Sequence, residues 1–313
     1  MDNLCHTLVG AAFGEAGLKR RTRYGNAALM ISANLPDLDV LVFATSTLPV
    51  SFRRGWTHGI VAQLVLPVLL TLAIVLVDRR RTSIRVGAAG QPRVQAGWLL
   101  ALSYAGVYSH VFLDFLNNYG VRLLAPLDWR WFYGDAVFIV DPILWVVLGA
   151  GVWLSRRGKV PHASRGALIC AACYVLVMLL SARAARGYVA DAWRTTRGID
   201  PHALMVGPQP VTPLSRQVVV DAGDHYETGV FSWWPRSIAF LPERIPKNAT
   251  RPEVAAAAAA SADVRGFLVW SRFPYWTVEA DEGGTRVTVR DMRFGSRGAF
   301  AVSATIPAAG KTD

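Results

Sequence analysis

Cysteine is scarce. Cys5, Cys170 and Cys173 are the three in 313 residues, too few for a disulfide framework, and none falls in the C-terminal part, where an exported domain would use one. Charge is sparse as well: 18% of residues are charged against 52% hydrophobic, and the apolar residues come in blocks, whereas a soluble domain scatters them. The opening segment is not expected to be a cleavable leader either. Met1 to Phe13 is too short for an ordinary membrane span, begins with an acid and has no small-residue cleavage site. It reads as a retained helix packed against the apolar blocks or dipping into them.

The blocks themselves predict a mainly α, polytopic membrane bundle of about five spans, at about 27–46, 58–78, 97–117, 136–154 and 166–185, since roughly 20 apolar residues cross a bilayer. The first is interrupted by Asn34, Pro36, Asp37 and Asp39, groups tolerated at membrane depth only where they face protein or water. The C-x-x-C of Cys170 and Cys173 can mean redox chemistry or zinc elsewhere. Beside Ala171 and Ala172 in an apolar span, it reads here as small-residue helix packing.

A net charge of +11 raises the question of a nucleic-acid partner. No basic, aromatic-interleaved face supports one, and none is expected. The basic residues follow membrane topology instead. Lys19, Arg20, Arg21 and Arg23 precede the first span; Arg79, Arg80, Arg81, Arg85 and Arg93 lie between the second and third; Arg156, Arg157, Lys159 and Arg165 lie between the fourth and fifth. Those loops are expected in the cytoplasm. The intervening loops carry Arg53 and Arg54, then Arg122 and Arg130 balanced by Asp128 and Asp135. The expectation is a bacterial inner-membrane protein with its amino terminus cytoplasmic and its C-terminal part outside.

From about residue 187 the character changes, dividing the chain into a membrane domain, 1–186, and an extracytoplasmic α+β domain, 187–313. Pro201, Pro208, Pro210 and Pro213 break helices, and short β-prone runs follow at 217–221, 228–234, 266–271, 275–280 and 285–291. Glu282-Gly283-Gly284 reads as the hairpin turn between the last two. The Ala-rich stretch from Val254 to Ala262 favours a short helix. Trp233, Trp234, Trp270, Tyr275 and Trp276 fit either a small β-core or the membrane interface.

Several polar residues stand inside apolar sequence. His110-Val111-Phe112-Leu113-Asp114 places a histidine and an acid on one helix face, where they can share a divalent ion or hydrogen-bond two helices together. In Asn34-Leu35-Pro36-Asp37-Leu38-Asp39, two acids repel unless a cation lies between them, and Pro36 implies a broken helix. The alternative is a kink whose acids pair with arginine. His58, in Arg54-Gly55-Trp56-Thr57-His58-Gly59, and His6, in Asp2-Asn3-Leu4-Cys5-His6-Thr7, are weak singly and gain meaning by converging with the others. Asp135 and Asp141 could be ligands or groups that orient the histidines; a helix-start cap explains Asp135 equally well, whereas Asp141 lies in apolar sequence. His162, His202 and His225 read as ordinary polar residues.

Taken in order, these four stretches resemble the YdjM-like family of bacterial inner-membrane proteins over roughly residues 1–155. The resemblance implies a membrane-bound metal-dependent hydrolase. More remotely it implies a link to the zinc-dependent phospholipase C and single-strand nuclease superfamily, whose helical fold binds metal through His and Asp. By resemblance the ligands would be His6, Asp37 or Asp39, His58, His110 and Asp114. Further histidines and a glutamate of that superfamily are lacking after Asp114, so one or two ions are expected, zinc favoured.

The function expected is hydrolysis of a phosphoester at the membrane surface, with a lipid or lipid-linked substrate. Asp37 or Asp39 would be a ligand or bridging carboxylate, an acid left uncoordinated could serve as general base, and Arg54 would be either an anchor at headgroups or a stabiliser of phosphate charge. The alternative is a noncatalytic protein whose polar cluster stores or passes a metal ion, or simply locks the helices.

Overall fold

The structure, a computed structural model, describes residues 1–84, 94–158, 160, 162–295 and 300–307; Arg85, Arg93 and Lys159 lie outside them. About half of the chain is helical. The helices are α1 (Asn3–Glu15), α2 (Gly25–Ser32), α3 (Pro49–Phe52), α4 (Ile60–Ile84), α5 (Ala96–Phe115), α6 (Pro142–Arg156), α7 (Ala163–Arg197), α8 (Pro252–Ala260) and α9 (Ala262–Trp270), with a 3-10 stretch at Leu35–Ala44. Two compact units emerge. One comprises Met1–Asp39, Arg54–Ser181 and Pro208–Pro213, the other Val40–Arg53, Ala182–Gly207 and Leu214–Asp313.

Among the described residues, three helices are long and apolar enough to cross a membrane: α4 over Ile60–Arg81, then α5 and α7. Their outward faces carry what lipid requires, such as Leu64, Leu69, Leu72 and Leu76 on α4 and Ile169, Val177 and Leu180 on α7, all exposed. Cys170 and Cys173 are exposed on α7 too, so they do not form the packing seam expected of them. The first expected span is a bent pair, α2 and the 3-10 stretch, meeting at 48°. Pro36 sits at that break, where it offers no N–H to continue a helix. The expected span at 136–154 is shorter than its apolar run, because Asp141 caps α6 and Pro142 opens it. Its 15 residues reach only about 22 Å, against about 30 Å of hydrocarbon. The membrane unit therefore has three candidate spans, or four if the bent pair is one.

In the second unit the strands are β1 (Ala203–Gln209), β2 (Thr212–Asp221), β3 (His225–Trp233), β4 (Arg236–Pro246), β5 (Pro274–Asp281), β6 (Gly284–Asp291) and β7 (Ala301–Pro307), in sheets ordered β1-β2-β3-β4 and β5-β6-β7. Alternation along β2 separates two apolar cores. Val218 and Val220 pack with Trp193 and Val189 of α7, whereas Val219 packs with Phe273, Tyr275 and Met292. The hairpin at Glu282 and Gly283 is as expected, with Asp281 opposite Gly284, and the alanine run is α8. The expected strand at 266–271 is instead largely α9. Ser261 caps it by accepting from the Val264 N–H, and Val264, Phe267 and Trp270 are buried at helical spacing.

A buried ion pair ties α9 to β6. Arg293 donates from Nε to Asp291 Oδ1 at 2.9 Å and from Nη2 to Oδ2 at 3.0 Å, and lies 4.3 Å from the centre of the Trp270 ring. Burial alone would raise the Asp291 carboxyl, but the Arg293 charge and hydrogen bonds, with those from Ser271 and the backbone, hold it below its ordinary value. A depressed folded pKa means stability that is present above the unfolded value, about 3.9, and lost as the pH falls through the folded one. The second unit is expected to lose stability progressively below about pH 4, read as tryptophan fluorescence in an acid titration. Asp291→Ala, leaving a buried unpaired guanidinium, should cost about 3–5 kcal/mol at neutral pH.

Candidate metal centre

Each sequence motif is delivered by a distinct local device. Asp2 caps α1, accepting from the N–H groups of Leu4 and Cys5 at 3.0 and 3.1 Å, and is held by the Trp145 indole N–H. That places His6 one turn in and fully buried. Helix α5 presents His110 and Asp114 on one face, both buried. His58 comes from the turn that precedes α4, in a stretch where Arg54 adopts a left-handed φ of 55°. The 3-10 stretch brings Asp37 and Asp39.

Four of these residues, Asp37, His58, His110 and Asp114, are buried with one potential ligand atom each inside a 4.8 Å sphere of mutual distances, and the group could hold a metal ion. His58 Nε2 lies 3.1 Å from His110 Nε2 and 3.2 Å from Asp114 Oδ2. His110 Nε2 lies 3.6 Å from Asp114 Oδ2 and 3.9 Å from Asp37 Oδ1, and His58 Nε2 lies 4.0 Å from Asp37 Oδ1. Ligand atoms tetrahedrally disposed about 2.0–2.1 Å from zinc are roughly 3.3 Å apart, so a modest contraction around Asp37 would complete such a set.

The outer nitrogens decide what faces inward. His110 Nδ1 is 2.8 Å from the Ala33 carbonyl oxygen, which can only accept, so the neutral ring donates there and keeps its lone pair at Nε2. The Thr57 hydroxyl donates to Asp39 Oδ2 at 3.1 Å, leaving its oxygen to accept from His58 Nδ1 at 3.0 Å. His58 therefore also directs a lone pair inward. Two imidazole lone pairs and one carboxylate oxygen each from Asp37 and Asp114 then converge, a donor set of the kind that holds a divalent ion. The residues present fit a divalent ion.

Other candidates take supporting places. Asp39 is not one of the converging four: its Oδ2 accepts from the Arg54 backbone N–H at 2.7 Å and lies 3.6 Å from His58 Nδ1, orienting the ring from behind. Arg54 spends its guanidinium on Asp114 Oδ1 at 2.9 Å and Asn117 Oδ1 at 3.0 Å, over the Tyr119 ring. The Met1 amino group also meets Asp114 Oδ1. His6 stacks on His110 with ring centres 3.8 Å apart and has Nε2 3.4 Å from Asp114 Oδ1. Asp141 is a helix cap that also accepts from the Tyr174 hydroxyl at 2.8 Å. Asp135 is buried at a left-handed φ of 49° in the connection from α5 to α6. Sequence reasoning missed Thr57 and Asn117; both neighbour recognised residues, but nothing in their types announces a role.

Close helix contact makes the Ala33 carbonyl available. A Cβ on Gly106 would lie 2.9 Å from the Ala33 backbone nitrogen and closer still to Ser32 Oγ. Gly106→Ala is therefore expected to push α2 from α5, costing about 1–3 kcal/mol and loosening the hold on His110. Thermal unfolding in detergent, with metal content measured on the same sample, checks both effects.

No curated protein and no solved structure matches the chain. The model of one family, described as YdjM inner membrane protein, matches residues 1–187, the part that contains the whole cluster and all the candidate spans up to the middle of α7, and the chain belongs to that family.

Proposed function

We propose that this protein is a membrane-bound, metal-dependent hydrolase of a phosphoester carried by a lipid or lipid-linked molecule. The observation that carries the proposal is the convergence of His58, His110, Asp37 and Asp114 with lone pairs inward and donors outward. A bound divalent ion, zinc favoured, supplies Lewis acidity toward water and a phosphoryl oxygen. His58, His110 and Asp114 are assigned as its holders, with one or two ions accommodated when His6 joins them. Asp37 would serve as a further ligand or as the acceptor of the water's proton. Asp39 and Thr57 fix the tautomer of His58, and Arg54 holds Asp114 in place.

A lipid substrate is supported by an apolar cavity of 360 Å³ among α1, α5, α6 and α7, lined by residues including Val9, Phe112, Leu113, Leu148 and Val175. Cys5, Ser109 and Leu113 of its wall are sequence neighbours of His6, His110 and Asp114. Elemental analysis of purified protein, followed by a phosphoester screen with and without a chelator, tests the reading. Chelator-sensitive turnover supports it; bound metal with no turnover on any phosphoester favours storage or passage, and a folded metal-free protein favours a purely structural cluster.

The proposed orientation follows from the basic loops, with the amino terminus cytoplasmic and the second unit outside. A reporter fused after residue 200 is expected to behave as extracytoplasmic. Cytoplasmic behaviour would place the site's opening on the inner face.

A further inference from the structure

Of the two arginines in the stretch from α5 to α6, Arg122 is the unusual one. Arg130, exposed, pairs with Asp128 at 2.6 Å. Arg122 is buried, with 7% of its surface exposed, and its Nε has no hydrogen-bond partner. Among the described residues no carboxylate pairs with its guanidinium. It lies instead against two indoles, 4.5 Å from the Trp131 ring centre and 5.2 Å from that of Trp129. Trp129 in turn meets Trp56 edge-on at 5.0 Å.

The backbone fixes this arrangement. Val121 and Phe132 form an antiparallel bridge, and the Arg122 N–H donates to the Arg54 carbonyl oxygen at 2.9 Å. The Arg122 backbone is thus tethered to the residue whose own guanidinium is already committed to Asp114 and Asn117. Aromatic faces stabilise a cation but give its N–H groups no acceptor. A buried guanidinium without an anion is costly, and the planar fork is suited to phosphate oxygens.

We propose that Arg122, bracketed by Trp129 and Trp131, binds a phosphate group, whether carried by a lipid headgroup or free in solution. The proposal goes beyond hydrolysis and does not depend on it, because a protein without turnover can still bind phosphate here. Trp129 and Trp56, both exposed, are of the kind that settles at the headgroup level of a bilayer, where such a group is presented.

Binding is measured on the full-length protein by two arms: inorganic phosphate titrated in detergent, and phosphatidate in phosphatidylcholine nanodiscs against phosphatidylcholine alone. Saturable binding is expected in at least one arm, weakened roughly tenfold or more by Arg122→Gln and unaffected by Arg130→Gln. Binding in the nanodisc arm alone identifies a lipid headgroup as the source, and binding in both identifies the phosphate itself. No saturable binding in either arm, or equal affinity for wild type and the folded glutamine variant, overturns the proposal. Where the glutamine variant does not fold, Arg122→Lys decides: it keeps the charge and loses the fork, and unchanged affinity in that variant overturns it as well.

Discussion

His110→Ala is expected to strip the protein of metal, with affinity falling by more than about 100-fold, since loss of an orienting partner alone costs about 10–100-fold. His110 contributes one of the two inward lone pairs, and its ring is the one on which His6 stacks. Asp114→Ala should do the same for a different reason. Its carboxylate meets His58, His110, Arg54 and the Met1 amine at once, so its removal leaves buried cations unpaired and should lower stability too. His225→Ala, on β3 and paired with Asp224 and Glu227, should leave metal content unchanged. Elemental analysis of the three variants beside their melting temperatures separates loss of a ligand from loss of the fold. Unchanged stoichiometry in folded His110 and Asp114 variants would leave the pair a purely structural role.

The part of the site legible in the sequence is the part that obeys a fixed period. On α5 the four-residue spacing of His110 and Asp114 has one geometric meaning, and the structure bears it out. Asp37 and Asp39 do not share that property. Two residues apart, they sit about 120° apart around a 3-10 turn and approach different nitrogens of His58, Asp37 near Nε2 and Asp39 near Nδ1. Nothing in the composition of residues 35–44 announces that tighter winding, so a shared cation between the two acids was the natural expectation. The structure gives Asp37 to the cluster and Asp39 to the back of the imidazole.

The same limit governs the fold. The run from Gly266 to Ser271 is short and apolar, and such a run does not distinguish strand from helix by period; the cap at Ser261 settles it. Strand β1 contains Pro208, read in sequence as a helix breaker, and β4 contains Pro242. Both strands are sheet edges, where a missing N–H removes no ladder bond that the sheet needs. Apolar blocks located the spans but not their ends, which depend on devices such as the Asp141 cap.

Asp37→Asn is expected to lower phosphoester turnover by at least about 100-fold, the smallest contribution typical of a positioned proton acceptor, while insertion and folding persist. The amide keeps the shape of the side chain and gives up the charge that binds metal or accepts a proton. Asp39→Asn predicts a different pattern. It preserves all four converging ligand atoms but weakens the acceptor behind Thr57 and His58, so metal affinity should fall by about 10–100-fold, and excess metal should restore much of the turnover. Titrating activity against added zinc in both variants distinguishes the two roles. Rescue is expected for Asp39→Asn and not for Asp37→Asn. Full activity in both single variants and in the double variant would remove these acids from the mechanism. Equal rescue of both would make Asp37 an orienting group like its neighbour, and would move the proton acceptor to another residue of the cluster.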